Sequence, residues 1–346
     1  RWRVTFLVVA MLASGQDVLA AVPRDASARQ AVLGKPVALE VAPRAFTLSG
    51  PRASRQVLVT GRYADGSLRD LTGFCQWKPA DPAMVDVDAD GLARGRSDGT
   101  TKLVVEVAGL SSTVTVTVAD TGKHAPISFR REFMPVLAVA GCSDIRCHGA
   151  PSGKDGFRLS LWGFNPAFDF QQLTHDGLGR RTNPLDPDNS LILNKALAQV
   201  SHVGGRRFAP GSELASLMRG WQAEGLRDDD KAVSLKSLVV TPGGRVLKAP
   251  ASWQRLAVQA EFSDGQVADV TRLTTYSSSD IAIAHVDRSG EVQFQRQGEV
   301  AILCRFMGRM ESVRLMHIAA PAEDYAWPNP PEANYVDTLV FAKLKQ

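Results

Sequence analysis

Residues Leu39 to Val118 align with Leu238 to His317 at one constant offset of 199 residues, without a gap. A repeat of this length forces two copies of one fold within a single chain. LEVAP pairs with LVVTP, YADGSLRDLT (Tyr63 to Thr72) with FSDGQVADVT (Phe262 to Thr271), and VDADG (Val87 to Gly91) with VDRSG (Val286 to Gly290). In the same register Trp77 meets Tyr276, Asp81 meets Asp280, and Gly99 and Gly109 fall on Gly298 and Gly308. Within each copy apolar and polar residues alternate, as at Val57, Val59, Gly61 and Tyr63 and again at Val114, Val116 and Val118, which is the period of a strand with one buried face. Asp-Gly pairs at Asp65-Gly66, Asp90-Gly91, Asp98-Gly99 and Asp264-Gly265 mark the turns, because glycine supplies the positive φ that tight turns demand. About eighty residues of short strands between regular turns predict a β-sandwich in each copy.

The segment between the copies, residues 126–230, has a different character. It holds two closely spaced cysteines and three of the six histidines. From Gly211 to Gly225, Leu214, Leu217, Met218 and Trp221 follow helical spacing, with Ser212 as N-cap and Gly225 as stop. Phe133, Val136, Leu137 and Ala140 form a second apolar stripe leading into Cys142, and Pro135 belongs in its first turn. After the second copy a proline-rich stretch reads as a linker. Asn334 then caps a new amphipathic start.

The first twenty residues carry Arg1 and Arg3, an apolar run from Val4 to Ala13 and a small-residue exit at Val18-Leu19-Ala20, the layout of a signal peptide. The run is short of the roughly 20 residues of a membrane span. Export to the periplasm, cell surface or medium is expected. The chain lacks an initiator Met and stops inside a helical pattern, so a larger parent protein is implied. With 44% apolar and 22% charged residues the chain is a folded soluble type, and a net charge of +4 gives no support to nucleic-acid binding.

The chemistry concentrates in GCSDIRCHG. Covalent haem attachment uses C-x-x-C-H, in which two thiols add to the haem vinyl groups and the adjacent imidazole takes the iron. Here Cys142 and Cys147 are separated by four residues, so Ser143 to Arg146 must loop outward before His148 becomes the proximal ligand. Three other readings stay open: a Cys142–Cys147 disulfide, a zinc site short of ligands, and a structural coincidence. Cys75 and Cys304 occupy non-equivalent positions in the copies and read as buried free thiols. His202 is the preferred distal iron ligand, because Gly204 and Gly205 let backbone approach a ring; Met218 and Met134 are weaker, and His175 sits in a polar loop. Arg180, Arg181 and Arg206 are candidates for haem propionate contacts. DVDADG (Asp86 to Gly91) reads as a turn, since its counterpart HVDRSG lacks the carboxylates a calcium loop needs.

The two copies resemble the bacterial Ig-like group 2 family through the D-G-x-x-x-D-[LV]-T turn, the aromatic after it and the V-D-x-x-G strand end. Phe129 to Leu226 resembles the variant cytochrome c domains of planctomycete-type secreted proteins: Pro135-Val136-Leu137, Gly141-Cys142, Cys147-His148-Gly149, Gly156-Phe157, Leu159-Ser160-Leu161, Gly163, then Arg180-Arg181, Ser190-Leu191, Lys195, His202, Phe208, Trp221 and Gly225. NYVDTLVFAKLKQ is similar to the first helix of a conserved domain of unknown function found in such proteins. These resemblances imply a multidomain chain of two all-β Ig-like sandwiches flanking a mainly α cytochrome c-like domain. The expected divisions are signal peptide 1–20, sandwich 35–120, haem domain 126–230, sandwich 234–320, linker 321–333 and a truncated domain from 334. The implied function is electron transfer through one haem c to a redox partner protein, with a peroxidase-like haem enzyme as a further option. The rival is a non-redox surface protein whose sandwiches bind protein or polysaccharide and whose insert is a disulfide-closed spacer.

Overall fold

The computed structural model describes residues 26–229, 233–319 and 326–345; the segment read as a signal peptide lies outside them. The constant offset in sequence is a constant offset in structure. Ala45–Ser49, Gly99–Val107 and Leu110–Ala119 in the first copy recur as Gly244–Lys248, Gly298–Phe306 and Arg309–Ile318 in the second. In each copy the two long strands pair antiparallel, and the outer strand joins them in parallel register, with Thr115 opposite Ala45 and Leu315 opposite Arg245. Two three-stranded sheets accompany this one in each copy: Ala38–Ala42, Leu58–Arg62 and Leu68–Asp70, with Ser54–Gln56, Leu92–Gly95 and Val85–Val87, in the first copy; Leu235–Thr241, Ala257–Phe262 and Val267–Asp269, with Trp253–Arg255, Glu291–Phe294 and Ala284–Val286, in the second. Alternation does the sorting: Leu103, Val105, Val114 and Val116 are fully buried, while Lys102, Thr113 and Thr115 face outward. Removing such apolar area from water is the main stabilising term.

The two sandwiches pack against each other by an exchange that respects the repeat. Gln56 N–H donates to Asp269 Oδ2 at 2.8 Å, and Arg255 N–H, at the position equivalent to Gln56, donates to Asp70 Oδ2 at 2.5 Å. The other carboxylate oxygens stay within their own copies, where Asp70 Oδ1 accepts from Thr72 N–H and Asp269 Oδ1 from Thr271 N–H, each at 2.9 Å. Thr72 and Thr271 hydroxyls in turn accept from Val59 and Val258 N–H. The D-[LV]-T motif is therefore a hydrogen-bonding device shared between the copies, arranged like an isologous dimer interface within one chain.

The expected architecture of two sandwiches around a mainly α, cytochrome c-like domain is corrected: among the described residues strand (35%) outweighs helix (23%). The insert has four α-helices of only 6, 9, 6 and 11 residues, Met134–Val139, Pro166–Thr174, Leu191–Ala196 and Glu213–Ala223, joined by turns and irregular chain. Glycines and prolines account for this: Gly149, Pro151, Gly153, Gly156 and Gly163 punctuate the segment after Cys142 and stop any helix from propagating. Its core is aromatic, with Trp221 tilted against Phe133 at 4.0 Å and against Phe129 at 5.1 Å between centroids. Its ends are tied together by Asp229, which accepts from Phe129 and Arg130 N–H and from the Ser128 hydroxyl. Arg52 forks onto Glu132 from the first sandwich, and Arg131 reaches Asp264 and Gln266 of the second. The insert is thus clamped to both copies.

Two helices lie outside this plan. Ala26–Leu33, without a clear signal in sequence, is held by the Tyr63 hydroxyl on Leu33 O at 2.6 Å and by Arg69 on Val32 O at 2.7 Å. Tyr335–Leu344 is capped by Asn334 in a full capping box with Asp337. Among the described residues no helix is long and apolar enough to cross a membrane.

Candidate functional site

The helix Met134–Val139 ends where Gly141 takes a φ of +75° and Cys142 N–H bonds back to Leu137 O at 2.8 Å. That stop turns the chain into the Cys142–His148 loop. Asp144 then organises the four-residue spacer: its carboxylate accepts from Arg146 N–H at 2.8 Å, and its carbonyl accepts from Cys147 and Gly149 N–H. His148 N–H closes the loop on Cys142 O at 3.0 Å. A Cβ on Gly149 would lie 2.1 Å from Ser143 O, so only glycine fits after the histidine. Within the spacer Ser143 and Asp144 are buried, whereas Ile145 and Arg146 are exposed. Cys142 and Cys147 are free thiols, as are Cys75 and Cys304.

These residues open onto a cavity of about 320 Å³, within the usual range of small-molecule sites. Cys142, Cys147, His148, Arg180, Arg181 and His202 all line it, with Phe157, Leu191, Ile192 and Ala196 as its apolar wall. His148 Nδ1 donates to Phe157 O at 3.0 Å, which places the proton of the neutral ring on Nδ1. Burial holds its pKa below the ordinary value, against the Phe157 carbonyl, which favours the charged form. His202 repeats the arrangement, with Nδ1 on Gly205 O at 3.0 Å. Burial keeps the Cys142 thiol neutral, pushing it up to about 11.

The three candidate arginines fall in different places. Arg181 is 4% exposed, and its donors are committed to Gln172 O, Asp176 O and Gly156 O. Its guanidinium lies 4.6 Å over the Phe157 ring, so it holds the residue that holds His148. Arg180 lines the cavity; Arg206 is exposed and does not. Arg207, one of the insert's cluster of basic residues but not among the three candidates, donates from its guanidinium to Ala140 O and Gly204 O; sequence reasoning missed Arg288 of the second sandwich, which donates to Arg207 O at 2.8 Å. Nothing local in the chain brings Arg288 to this place.

A second candidate surface lies on the outer face of the first sandwich. Thr47, Thr117 and Thr100 stand in one row across three strands, with Thr100 and Thr117 hydroxyls 3.2 Å apart, and Thr115 and Thr113 extend the patch along the middle strand. The second copy has Val246, Met316 and Glu299 in the equivalent row.

No family model matches the chain. Among curated proteins it is similar to Ice-binding protein 1 of Shewanella frigidimarina, with 27% identity over 242 residues, or 68% of this chain. The chain spans only 24% of that protein's length. Among solved structures it overlaps domains 5–6 of the S-layer protein SbsC with 11% identity and a TM-score of 0.32, covering 82% of this chain and 99% of that one. It also overlaps domains 4–9 of SbsC, with 10% identity and a TM-score of 0.31, covering 82% and 31%. At such scores no common overall arrangement is established.

These findings overturn the planctomycete-type resemblance, including its variant cytochrome c domain, its Ig-like group 2 assignment and the conserved domain expected after Asn334. The curated relative is named for ice binding, and the insert is not a helical cytochrome domain. The description as an electron-transfer cytochrome is withdrawn with it. Among the described residues no group of three or more His, Cys, Asp or Glu is placed to hold a metal ion.

Proposed function

We propose that the chain is part of an exported, non-redox surface-binding protein whose first sandwich adheres to a hydroxyl-rich solid, a polysaccharide or ice. The observation that carries this is the threonine row Thr47, Thr117 and Thr100. Outward hydroxyls on neighbouring strands repeat at the spacing of the sheet, and each can donate and accept. The fold does not require them, because the second copy keeps the same strands with valine, methionine and glutamate in those places. The relative named for binding ice agrees with a role at a surface. Thr115, beside the row, tests this: Thr115→Lys should weaken retention on an insoluble polysaccharide, or on ice, by on the order of tenfold. Unchanged retention on both solids contradicts the proposal.

A second reading concerns the insert and rests on the cavity that gathers Cys142, Cys147, His148 and His202. The cofactor such a donor set would hold is haem c: Cys142 and Cys147 would supply the thioether sulfurs, and His148 and His202 would supply imidazoles for iron. An imidazole oriented by a carbonyl on its other nitrogen is the usual arrangement of a ligating histidine. Bound haem would supply a coloured, covalently fixed group; the chain itself orients His148 through Phe157 and Arg181. Expression in a host competent in haem attachment should yield a haem adduct on the peptide containing Cys142 and Cys147. Full alkylation of both thiols without adduct contradicts this reading.

A further inference from the structure

The insert and both sandwiches meet at a groove of about 630 Å³, a size within the usual range of ligand sites. It lies on one of two edges of the contact between the copies, and the 199-residue offset relates the two edges. On the other edge Arg245 bridges the copies, its Nη1 donating to Gln254 Oε1 at 2.8 Å and to Thr60 Oγ1 at 3.1 Å. On the groove edge the equivalent residues are Phe46, Arg55 and Gln259. Arg55 donates to Gln259 Oε1 through Nη2, and Phe46 has no donor with which to bridge them. Donors are left over as a result. Arg55 Nε and Arg272 Nε are buried without a hydrogen-bond partner. Among the described residues the Arg272 guanidinium makes no hydrogen bond or ion pair at all, and its two terminal nitrogens open onto the groove. The first copy has Gly73 in place of Arg272, so the fold does not call for this charge. The acids of the lining do not answer it: Asp269 accepts from Gln56 and Thr271 N–H, Glu132 accepts from Arg52 and Ser128 N–H, and Glu213 is exposed. Guanidinium donors held out of water without acceptors cost free energy that an entering anion recovers.

We propose that this groove binds a stretch of an acidic polysaccharide, with a sugar carboxylate paired to Arg272. Arginine suits the task because its planar fork matches a carboxylate and cannot lose its charge. Gln259 and Gln266 commit their carbonyls to Arg55 and Arg131 and keep amide NH2 groups for the sugar oxygens. Thr47 belongs both to the groove lining and to the threonine row, so the groove is continuous with the outer face of the first sandwich. That continuity selects a saccharide over a peptide, and in this respect the inference rests on the reading of the threonine face.

The test is calorimetric titration of the full chain with hexagalacturonate, with cellohexaose as the neutral saccharide and with hexaglutamate as the acidic peptide. The wild type should bind hexagalacturonate on the order of tenfold more tightly than either of the others. Arg272→Gln should abolish that preference and leave cellohexaose binding unchanged. Arg55→Gln, the exchange already present between the copies, should weaken hexagalacturonate in the same direction with an unchanged circular dichroism spectrum. Equal affinity of the wild type for the two saccharides, no binding of hexagalacturonate, or no change in Arg272→Gln overturns the proposal. Hexaglutamate bound as tightly as hexagalacturonate overturns the saccharide as occupant. Thr115→Lys lies outside the groove lining and should leave these titrations unchanged. Failure of the titrations with adsorption to solids intact therefore strikes the groove alone, and lost adsorption with the titrations intact strikes the threonine face alone.

Discussion

Asp169 is fully buried in the insert, and its carboxylate accepts from the backbone N–H and the hydroxyl of Ser160. Burial outweighs those two bonds and pushes its pKa up to about 6, from 3.8 for the free side chain. The folded state therefore holds this proton over a pH range in which the unfolded state has lost it. The sign follows: the contribution of Asp169 to stability is greatest below pH 3.8 and declines as pH rises to about 6. The difference amounts to about 3 kcal/mol. Asp169→Asn, which cannot ionise, should lack this slope, so urea unfolding of wild type and variant at pH 4 and pH 7 should diverge by about that amount. Parallel stabilities at the two pH values contradict the assignment. The turn that Ser160 begins leads into the chain facing the second sandwich, where Arg305 lies 5.0 Å over Trp162.

At the scale of elements, what the sequence made legible was local. Ser212 accepts from Ala215 N–H at the start of Glu213–Ala223, and Gly225 takes a φ of +89° beyond its end, because cap and stop chemistry acts within a turn. Asp65-Gly66 and Asp264-Gly265 were readable as turns for the same reason, with glycine φ values of +76° and +83°. The insert's irregular backbone was less legible, since apolar spacing reports a helix without reporting how soon glycines end it. The contact between the copies was not legible at all. Asp70 and Asp269 look like turn residues in sequence, and only the fold shows that their second oxygens cross to the other sandwich. Removing Asp70 leaves Arg255 N–H, the Gln254 side-chain amide and Thr72 N–H without that acceptor. Asp70→Ala should cost about 3 kcal/mol and Asp269→Ala a similar amount. Urea unfolding of the full chain checks both, and a loss below about 0.5 kcal/mol for either would place the interface elsewhere.

At the scale of the whole molecule, the two copies share one contact and differ on their outer faces. The shared motif locks the copies together, while their outer faces have diverged. The first keeps a row of hydroxyls; the second carries an ion pair of Arg314 with Glu299, which also meets Lys343 of the last helix. The insert, clamped to both copies, lines its cavity with its own residues between Gly141 and Arg207. The central claim is that the face binds and that binding follows the threonines. The most direct measurement is an adsorption isotherm on crystalline polysaccharide and on ice, for wild type and for a triple variant given the residues of the second copy, Thr47→Val, Thr100→Glu and Thr117→Met. The account predicts saturable adsorption of the wild type to one of the two solids and a loss on the order of tenfold in the variant, with folding unchanged by circular dichroism. Superimposable isotherms for the two proteins on both solids would contradict it.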